Sequence, residues 1–323
     1  MTTSMLTAET IAKYLPYTLE KTGFDFLGER KQGKVRDVYD DGEHFYLIAT
    51  DRYSAFDRNL TLIPLKGQIL TQTSLFNFKQ TEDIIGNHII ENPDPNVLVC
   101  KKCTVAPIEV IVRGYLTGVT ETSIWTRYER GQRDFTDFEL PDGMVKNTKL
   151  EQPVLTPTTK FEEHDRNLSF SEIISEGHLT EEKWKEIRDV ALDLFVRGQE
   201  VAEKAGLILV DTKYEFGYDE NGALTLVDEI HTQDSSRYWK ADSYEERMAA
   251  GEEPEYFDKE FLRLWFKEQC DPYNDETLPD APEDMRVELA RRYAEIYEKL
   301  TGGSLQLPPL EDIAERITNN LKN

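Results

Sequence analysis

The sequence predicts an α+β protein of two lobes. A β-rich amino-terminal lobe spans residues 1–105, and a larger mixed α/β lobe spans residues 106–323 and ends in helices. Three observations carry this reading. Short strand-like runs separated by turn residues fill the first lobe. A long helical period over about Glu181–Lys204 leads into two strand-like runs on either side of Asn221-Gly222. The tail from Asp258 repeats apolar residues at helical spacing.

In chain order, Phe24–Leu27, Lys34–Tyr39 and Phe45–Ala49 read as short strands, punctuated by Gly33 and by Asp40-Asp41-Gly42. A helix follows around Thr71–Phe78, and Asn92-Pro-Asp-Pro95 is a loop. Val97–Val105 and Ile108–Val112 read as strands broken near Pro107. Leu140–Ser171 is polar and proline-bearing with no sustained period, and connections of that length are commonly functional. Trp184, Ile187, Ala191, Leu194 and Phe195 stripe the long helix, which Gly206 stops. In the tail, Leu289, Tyr293, Ile296, Tyr297 and Leu300 form one apolar face ended by Gly302-Gly303, the mark of a core-facing helix.

Subtracting 62 acidic from 38 basic side chains leaves a net charge of −24. Free nucleic acid is polyanionic and calls for a basic footprint, so it is not an expected partner. Small anionic substrates remain open, because a local cluster can override the mean field. The longest apolar runs, such as Leu207–Val210 and Val97–Cys100, fall far short of the ~18–20 residues that span a bilayer. Met1–Glu9 has neither the basic nor the apolar region of a secretory leader, so no membrane partner is expected. Cys100, Cys103 and Cys270 cannot form a disulfide framework, and Cys100-Lys-Lys-Cys103 lacks the second pair that zinc needs. The Cys100–Cys103 pair reads as buried thiols, and the compartment as reducing, the cytoplasm.

The chemistry concentrates in one hairpin, Leu207–Gly217 and Leu224–Ile230. Asn221-Gly222 is the favoured pair for a two-residue type I′ turn, and that turn places Glu215 directly opposite Asp228. Opposed side chains sit roughly 5 Å apart at Cβ. Alternation puts Asp211, Lys213 and Glu215 on the face of Asp228. Two facing carboxylates repel unless a cation lies between them, and Mg²⁺ held by carboxylates and phosphate oxygens fits. A solvated Lys–Glu strand face is the alternative, opposed by the unbroken apolar flanks Leu207–Val210 and Leu224–Val227. Beyond the hairpin, Asp234-Ser-Ser-Arg237-Tyr-Trp239 reads either as a phosphate cup or as a helix start capped by Asp or Ser.

Arg30–Tyr39 is basic in an acidic chain, and Gly33 with Lys34, Val35 and Arg36 could bring backbone N–H groups to a phosphate. Taken alone the segment reads by default as a plain hairpin turn, and no P-loop pattern occurs. Ala49-Thr-Asp-Arg-Tyr-Ser-Ala-Phe-Asp57 and Glu109-Val-Ile-Val-Arg113-Gly-Tyr-Leu-Thr-Gly118 each follow or end a strand with a dense set of polar groups.

Together these segments, with Thr156-Pro-Thr-Thr-Lys160, His164-Asp165 and Asp228-Glu229, resemble the SAICAR synthetase family in content and in order, over roughly residues 25 to 240. The resemblance implies a kinase-like, ATP-grasp-like nucleotide lobe and an ATP-dependent carboxylate–amine ligase of purine biosynthesis. Its substrates would be a carboxyaminoimidazole ribotide, L-aspartate and ATP, with Mg²⁺ as cofactor, in a monomer or homodimer.

The resemblance also implies roles. Glu215 and Asp228 would hold Mg²⁺ on the ATP phosphates, covered by Gly33, Lys34, Val35 and Arg36. Lys213 would contact the nucleotide or the transferring phosphoryl group, and Asp211 would orient Lys213 or a ribose hydroxyl. Arg113, Ser235, Ser236 and Arg237 would receive the ribotide phosphate. Asp51, Ser54 and Asp57 would line the substrate cleft, with Lys160 and Asp165 on the aspartate or nucleotide side. One departure stands out: Gly118 is followed by Val119 where many relatives have serine, so Thr120 or Ser123 would take that contact. A small-molecule kinase of related lobe architecture and a non-catalytic acidic binding module are the rival readings.

Overall fold

The computed structural model describes residues 6–56, 58–119, 123–162, 166–257 and 260–322; the expected site residues Asp57, Thr120 and Asp165 lie outside these. The chain forms two compact units, each α+β. One comprises Met1–Phe76, His88–Lys102 and Phe257–Asn323, and the other Asn77–Asn87 and Cys103–Tyr256. The chain thus crosses near the expected boundary at residue 105, but the tail returns to the amino-terminal unit instead of extending the second. The reason is the apolar face of its helices. Leu262 and Phe266 of helix Glu260–Gln269, and Leu289 and Tyr293 of helix Glu283–Thr301, are buried with Ile11, Tyr53, Ile63 and Ile69 in one core.

The first unit is built on a five-stranded antiparallel sheet with spatial order Glu29–Gln32, Arg36–Asp40, His44–Ala49, Val97–Lys101, Ile89–Asp94. Arg36–Asp40 buries Asp37 and Tyr39 on one face, the alternation of a half-covered strand. Phe24–Leu27, expected as strand, instead makes a 3₁₀ turn at Asp25–Leu27. Gly28 leaves it at φ 86, where a Cβ would sit 2.1 Å from the Asp40 carbonyl oxygen, so only glycine lets the chain reverse there. The helix expected around Thr71–Phe78 runs over Lys66–Gln80.

The second unit centres on the strand Leu207–Tyr218 in a seven-stranded sheet. Ile108–Tyr115 and Thr104–Val105 pair with it antiparallel, as do Ser236–Lys240 and Leu224–Val227. Lys149–Leu155 and Thr158–Thr159, inside the segment expected to be irregular, add to the outer edge of Ile108–Tyr115. The helix Glu181–Lys204 has the expected bounds. Thr180 caps it by accepting from the Lys183 N–H, and Trp184, Ile187, Ala191, Leu194 and Phe195 are buried. The segment Asp234–Trp239 is not a helix start: Ser236–Lys240 is strand.

Candidate active site

Alternation along Leu207–Tyr218 turns Asp211, Lys213 and Glu215 to one face. Asp211 is the register partner of both Arg113 and Arg237. Its Oδ2 lies 3.3 Å from Arg113 Nη1 and 3.6 Å from Arg237 Nη1. Arg113 Nε also donates to Thr156 Oγ1 at 2.8 Å. Burial pulls the Arg113 pKa down and the nearby Arg237 and Arg127 add to that, while Asp211 opposes it. Two guanidiniums share one carboxylate here, which leaves cationic donors for an anion. Hydroxyls gather beside them. Ser236 Oγ is 2.8 Å from Thr212 Oγ1, and Ser235 Oγ is 3.1 Å from Thr232 Oγ1.

Two residues along the strand, charge is packed more tightly. Lys213 Nζ donates to Glu215 Oε1 at 2.6 Å and to Glu109 Oε1 at 2.9 Å. Lys160 Nζ pairs with Glu215 Oε2 and lies 3.6 Å from Glu109 Oε1. Burial disfavours a charged Lys213, but Glu215, Asp228 and Glu109 outweigh it and hold the ammonium protonated. Burial likewise disfavours a charged Glu215, yet Lys213 and Lys160 hold its carboxyl below the ordinary range.

The expected register is corrected by one residue. Glu215 faces Val227, not Asp228. The turn is a three-residue loop rather than a two-residue one. The Gly222 N–H donates to the Asp219 carbonyl at 2.9 Å, and Gly222 sits at φ 78. Asp219 Oδ1 accepts from the N–H groups of Asn221 and Ala223, both at 2.9 Å. An aspartate opening a type I turn with glycine in the left-handed position after it makes this loop, and Asp219 is the signal that Asn221-Gly222 alone conceals. Asp228 then leaves the strand at φ 68, a conformation aspartate tolerates. Its carboxylate is still among the charges acting on Lys213, so the cluster survives the corrected register.

The donor set suits a hard cation. Glu215 and Asp228 are oxygen donors, and Glu215 is buried with two ammoniums on its oxygens, where a divalent ion would compete with them. Among the described residues no three His, Cys, Asp or Glu side chains form a cage by themselves. Mg²⁺ that keeps waters and substrate phosphate oxygens in its shell needs only one or two protein carboxylates.

In the first unit, Gly33–Val35 joins Glu29–Gln32 to Arg36–Asp40, with the Gly33 N–H on the Arg36 carbonyl at 2.8 Å. Arg52, buried, pins this turn. It donates from Nε to the Lys34 carbonyl and from Nη2 to the Gly33 carbonyl, both at 3.1 Å, and Nη2 also reaches Asp37 Oδ1 at 2.8 Å. Asp51 has 0% exposure, and its oxygens accept from the N–H groups of Leu19 at 2.8 Å and Gly67 at 2.9 Å. That geometry gives it a framework role in place of the expected substrate contact. Burial raises its pKa to about 6. Ser54 is half-buried in the hairpin of Arg52–Ala55 and Arg58–Leu62.

Ser123 caps the helix Ile124–Glu129, with Oγ accepting from the Thr126 N–H. It packs on Gly118, where an added Cβ would lie 2.4 Å from its own, so the chain from Gly118 closes back onto the serine. Sequence reasoning missed Glu109, Arg52 and Thr156. Glu109 had a readable signal, since it shares a strand face with Arg113 at even spacing. Arg52 had none, because its carbonyl partners are set by the fold.

A profile of the SAICAR synthetase family matches residues 29–279. A phosphoribosylaminoimidazole-succinocarboxamide synthase of Legionella pneumophila (strain Paris) is 55% identical over 290 residues, which cover 90% of this chain and 93% of that one. The solved SAICAR synthase of Saccharomyces cerevisiae, complexed with SAICAR, superposes with a TM-score of 0.77 at 31% identity, covering 90% of this chain and 100% of that one. A type-2 SAICAR synthetase in complex with ADP superposes at 0.66 with 25% identity, over 86% of this chain and 100% of that one. By a profile spanning most of its length and by these relatives, the chain belongs to the SAICAR synthetase family.

Proposed function

We propose that the protein joins the carboxylate of 5-amino-1-(5-phosphoribosyl)imidazole-4-carboxylate to the amine of L-aspartate, with ATP converted to ADP and phosphate. The observation that carries this reading is one strand face bearing two charge groups in sequence. Arg113–Asp211–Arg237 suits a phosphate, and Lys213–Glu215–Glu109–Lys160 suits phosphoryl transfer. Asp211 to Glu215 covers about 13 Å at ~3.3 Å per residue, enough for a ribotide laid along the strand with its phosphate on the arginines.

A carboxylate resists attack by an amine at neutral pH. Its oxygen first attacks the γ-phosphorus of ATP, and the bond to the β-phosphate oxygen breaks to release ADP. The aspartate amine then attacks the acyl carbon; the carbon–oxygen bond to phosphate breaks, phosphate leaves with the electron pair, and the proton given up by the amine passes to water. The protein's part is positioning and charge neutralisation. Lys213, kept protonated by its carboxylates, neutralises charge on the transferring phosphoryl group, and Lys160 serves the same cluster. Glu215 and Asp228 would hold Mg²⁺, which supplies charge neutralisation to the nucleotide phosphates when bound. The Gly33–Arg36 turn, held by Arg52, is assigned to the nucleotide phosphates. No helix among the described residues is long and apolar enough to cross a membrane, and a cytoplasmic setting goes with this reading.

Phosphate release tests it. A ligase releases phosphate only with ribotide, L-aspartate and ATP all present, and SAICAR accumulates in step. A phosphorylated product formed from one acceptor and ATP, with no phosphate set free, would replace the ligase by a kinase.

A further inference from the structure

We propose that Glu109 is a positioning residue, which keeps hold of Lys213 and Lys160 when Glu215 turns its oxygens to a divalent cation; this deepens the ligase reading above and rests on it. The arrangement follows from the strands. Ile108–Tyr115 runs antiparallel to Leu207–Tyr218, with Arg113 beside Asp211 and Ile111 beside Lys213. Residues two apart share a face, so Glu109 and Glu215 come next on the same side. Two carboxylates brought together repel unless cations lie between them. Here the cations are the chain's own.

Lys213 Nζ bridges the pair, 2.9 Å from Glu109 Oε1 and 2.6 Å from Glu215 Oε1. Lys160 Nζ does the same, paired with Glu215 Oε2 and 3.6 Å from Glu109 Oε1. Each oxygen of Glu215 thus carries an ammonium, and a divalent ion on Glu215 has to displace at least one of them. A displaced ammonium does not pass freely to water here. The Lys213 side chain is 30% exposed and that of Lys160 18%. A partly buried charge that gives up one partner without gaining another is strongly unfavourable. Glu109 removes that penalty, because its Oε1 already faces both lysines.

The ammoniums then stay beside the transferring phosphoryl group while Glu215 is released to the ion. Glu109 acts through the lysines and not as a further ligand. Among the described residues no three acid, His or Cys side chains form a cage, and the Glu109 oxygen nearest the cluster is the one the lysines use. The charges agree with this. Glu109, Glu215 and Asp228 against Lys213 and Lys160 leave the cluster one negative charge. A divalent ion turns that to one positive charge, the sign that nucleotide phosphates require. Without Glu109 the cluster would be neutral before the ion arrives.

Titration with Mn²⁺ in place of Mg²⁺ tests the proposal, with free Mn²⁺ read by electron paramagnetic resonance and no substrate present. Glu109→Gln should bind Mn²⁺ about ten- to hundredfold more weakly than wild type, the size of a lost charge-assisted hydrogen bond. In a Lys213→Met background the same substitution should cost no more than about threefold, because the ammonium that Glu109 held is gone. A carboxylate that acted through space, or that bound the ion itself, would cost the same in both backgrounds, and that result overturns the proposal. An unchanged affinity in Glu109→Gln, or a wild type that binds no Mn²⁺, also overturns it. Should Glu109→Gln fail to fold, Glu109→Asp takes its place, keeping the charge on a shorter arm. Weaker binding that Lys213→Met abolishes then supports the proposal, and unchanged binding refutes it. These titrations contain no ribotide, L-aspartate or ATP, so the ligase reading stands or falls separately, on phosphate release with all three.

Discussion

Lys213 sits where two large effects oppose each other. Burial favours its neutral form, three carboxylates favour the ammonium, and the carboxylates win. The same charges make Asp228 sensitive. Asp228→Asn keeps the left-handed backbone at φ 68, because asparagine tolerates it as aspartate does. Turnover should drop about 100–1000-fold, as when one electrostatic contact to a reacting group is removed. Mg-ATP binding should weaken, while urea unfolding moves by no more than about 0.5 kcal/mol. Near-normal turnover would count against the metal role. At Asp51 burial outweighs the hydrogen bonds and charges that favour the carboxylate. Its folded pKa of about 6 exceeds the unfolded value of 3.8. Its contribution is therefore fully present below about pH 4 and is lost as pH rises through about 6, amounting to about 3 kcal/mol. In Asp51→Asn that pH-dependent part is absent, and one backbone donor faces an amide group. The stability gap between wild type and variant should narrow between about pH 4 and 7 in urea titrations; a constant gap refutes the assignment.

At the level of elements, the helix Glu181–Lys204 comes close to the strand Leu207–Tyr218 at a glycine, where a Cβ on Gly198 would lie 2.7 Å from Leu209 Cδ2. The same Cβ would lie 2.4 Å from His231 Cε1. That ring is fixed: its Nε2 is 2.6 Å from the Tyr214 hydroxyl, and the Tyr238 hydroxyl donates to its backbone carbonyl at 2.8 Å. Burial drops the His231 pKa to about 3, so the imidazole stays neutral and pH does not release it in the ordinary range. The residue lies between Asp228 and Ser235, which ties the helix to the loop carrying both. Gly198→Ala would gain about 1 kcal/mol of helix propensity in the open, but overpacking costs about 1–3 kcal/mol, so net destabilisation is expected. Chemical denaturation gives the sign, and a more stable variant would mean the ring moves freely. This element also shows why register escaped the sequence. Asn221-Gly222 suits a two-residue turn, yet the Asp219 carboxylate bonds two backbone N–H groups and adds a residue to the loop. Both turns obey local rules, and a single side chain chose between them.

For the whole chain, the tail supplies a large share of the core of the amino-terminal unit. Leu262, Phe266, Leu289, Tyr293 and Ile317 are buried within that unit. Arg316 forks onto Asp94 at 2.9 and 3.0 Å and donates to Asn96 at 2.7 Å. Each such apolar side chain contributes about 1.5–3 kcal/mol, so their sum rivals the about 5–15 kcal/mol that stabilises a domain. A chain ended at residue 256 should lose the cooperative melting of the first unit in calorimetry; a retained transition would show that the strands stand alone.

The sequence by itself determined the fold class, the long helix with its ends, the apolar faces of the tail, and the residues on the charged strand face, because periodicity and capping are local properties of neighbouring side chains. It also determined the family, through motifs whose order no composition reproduces. Tertiary structure alone decided that the tail joins the first unit, that Lys160 closes on Glu215 and Glu109 on Lys213, and that Arg52 pins the Gly33 turn. These depend on which distant surfaces meet and which buried donors find acceptors, and spacing along a chain does not encode such pairings.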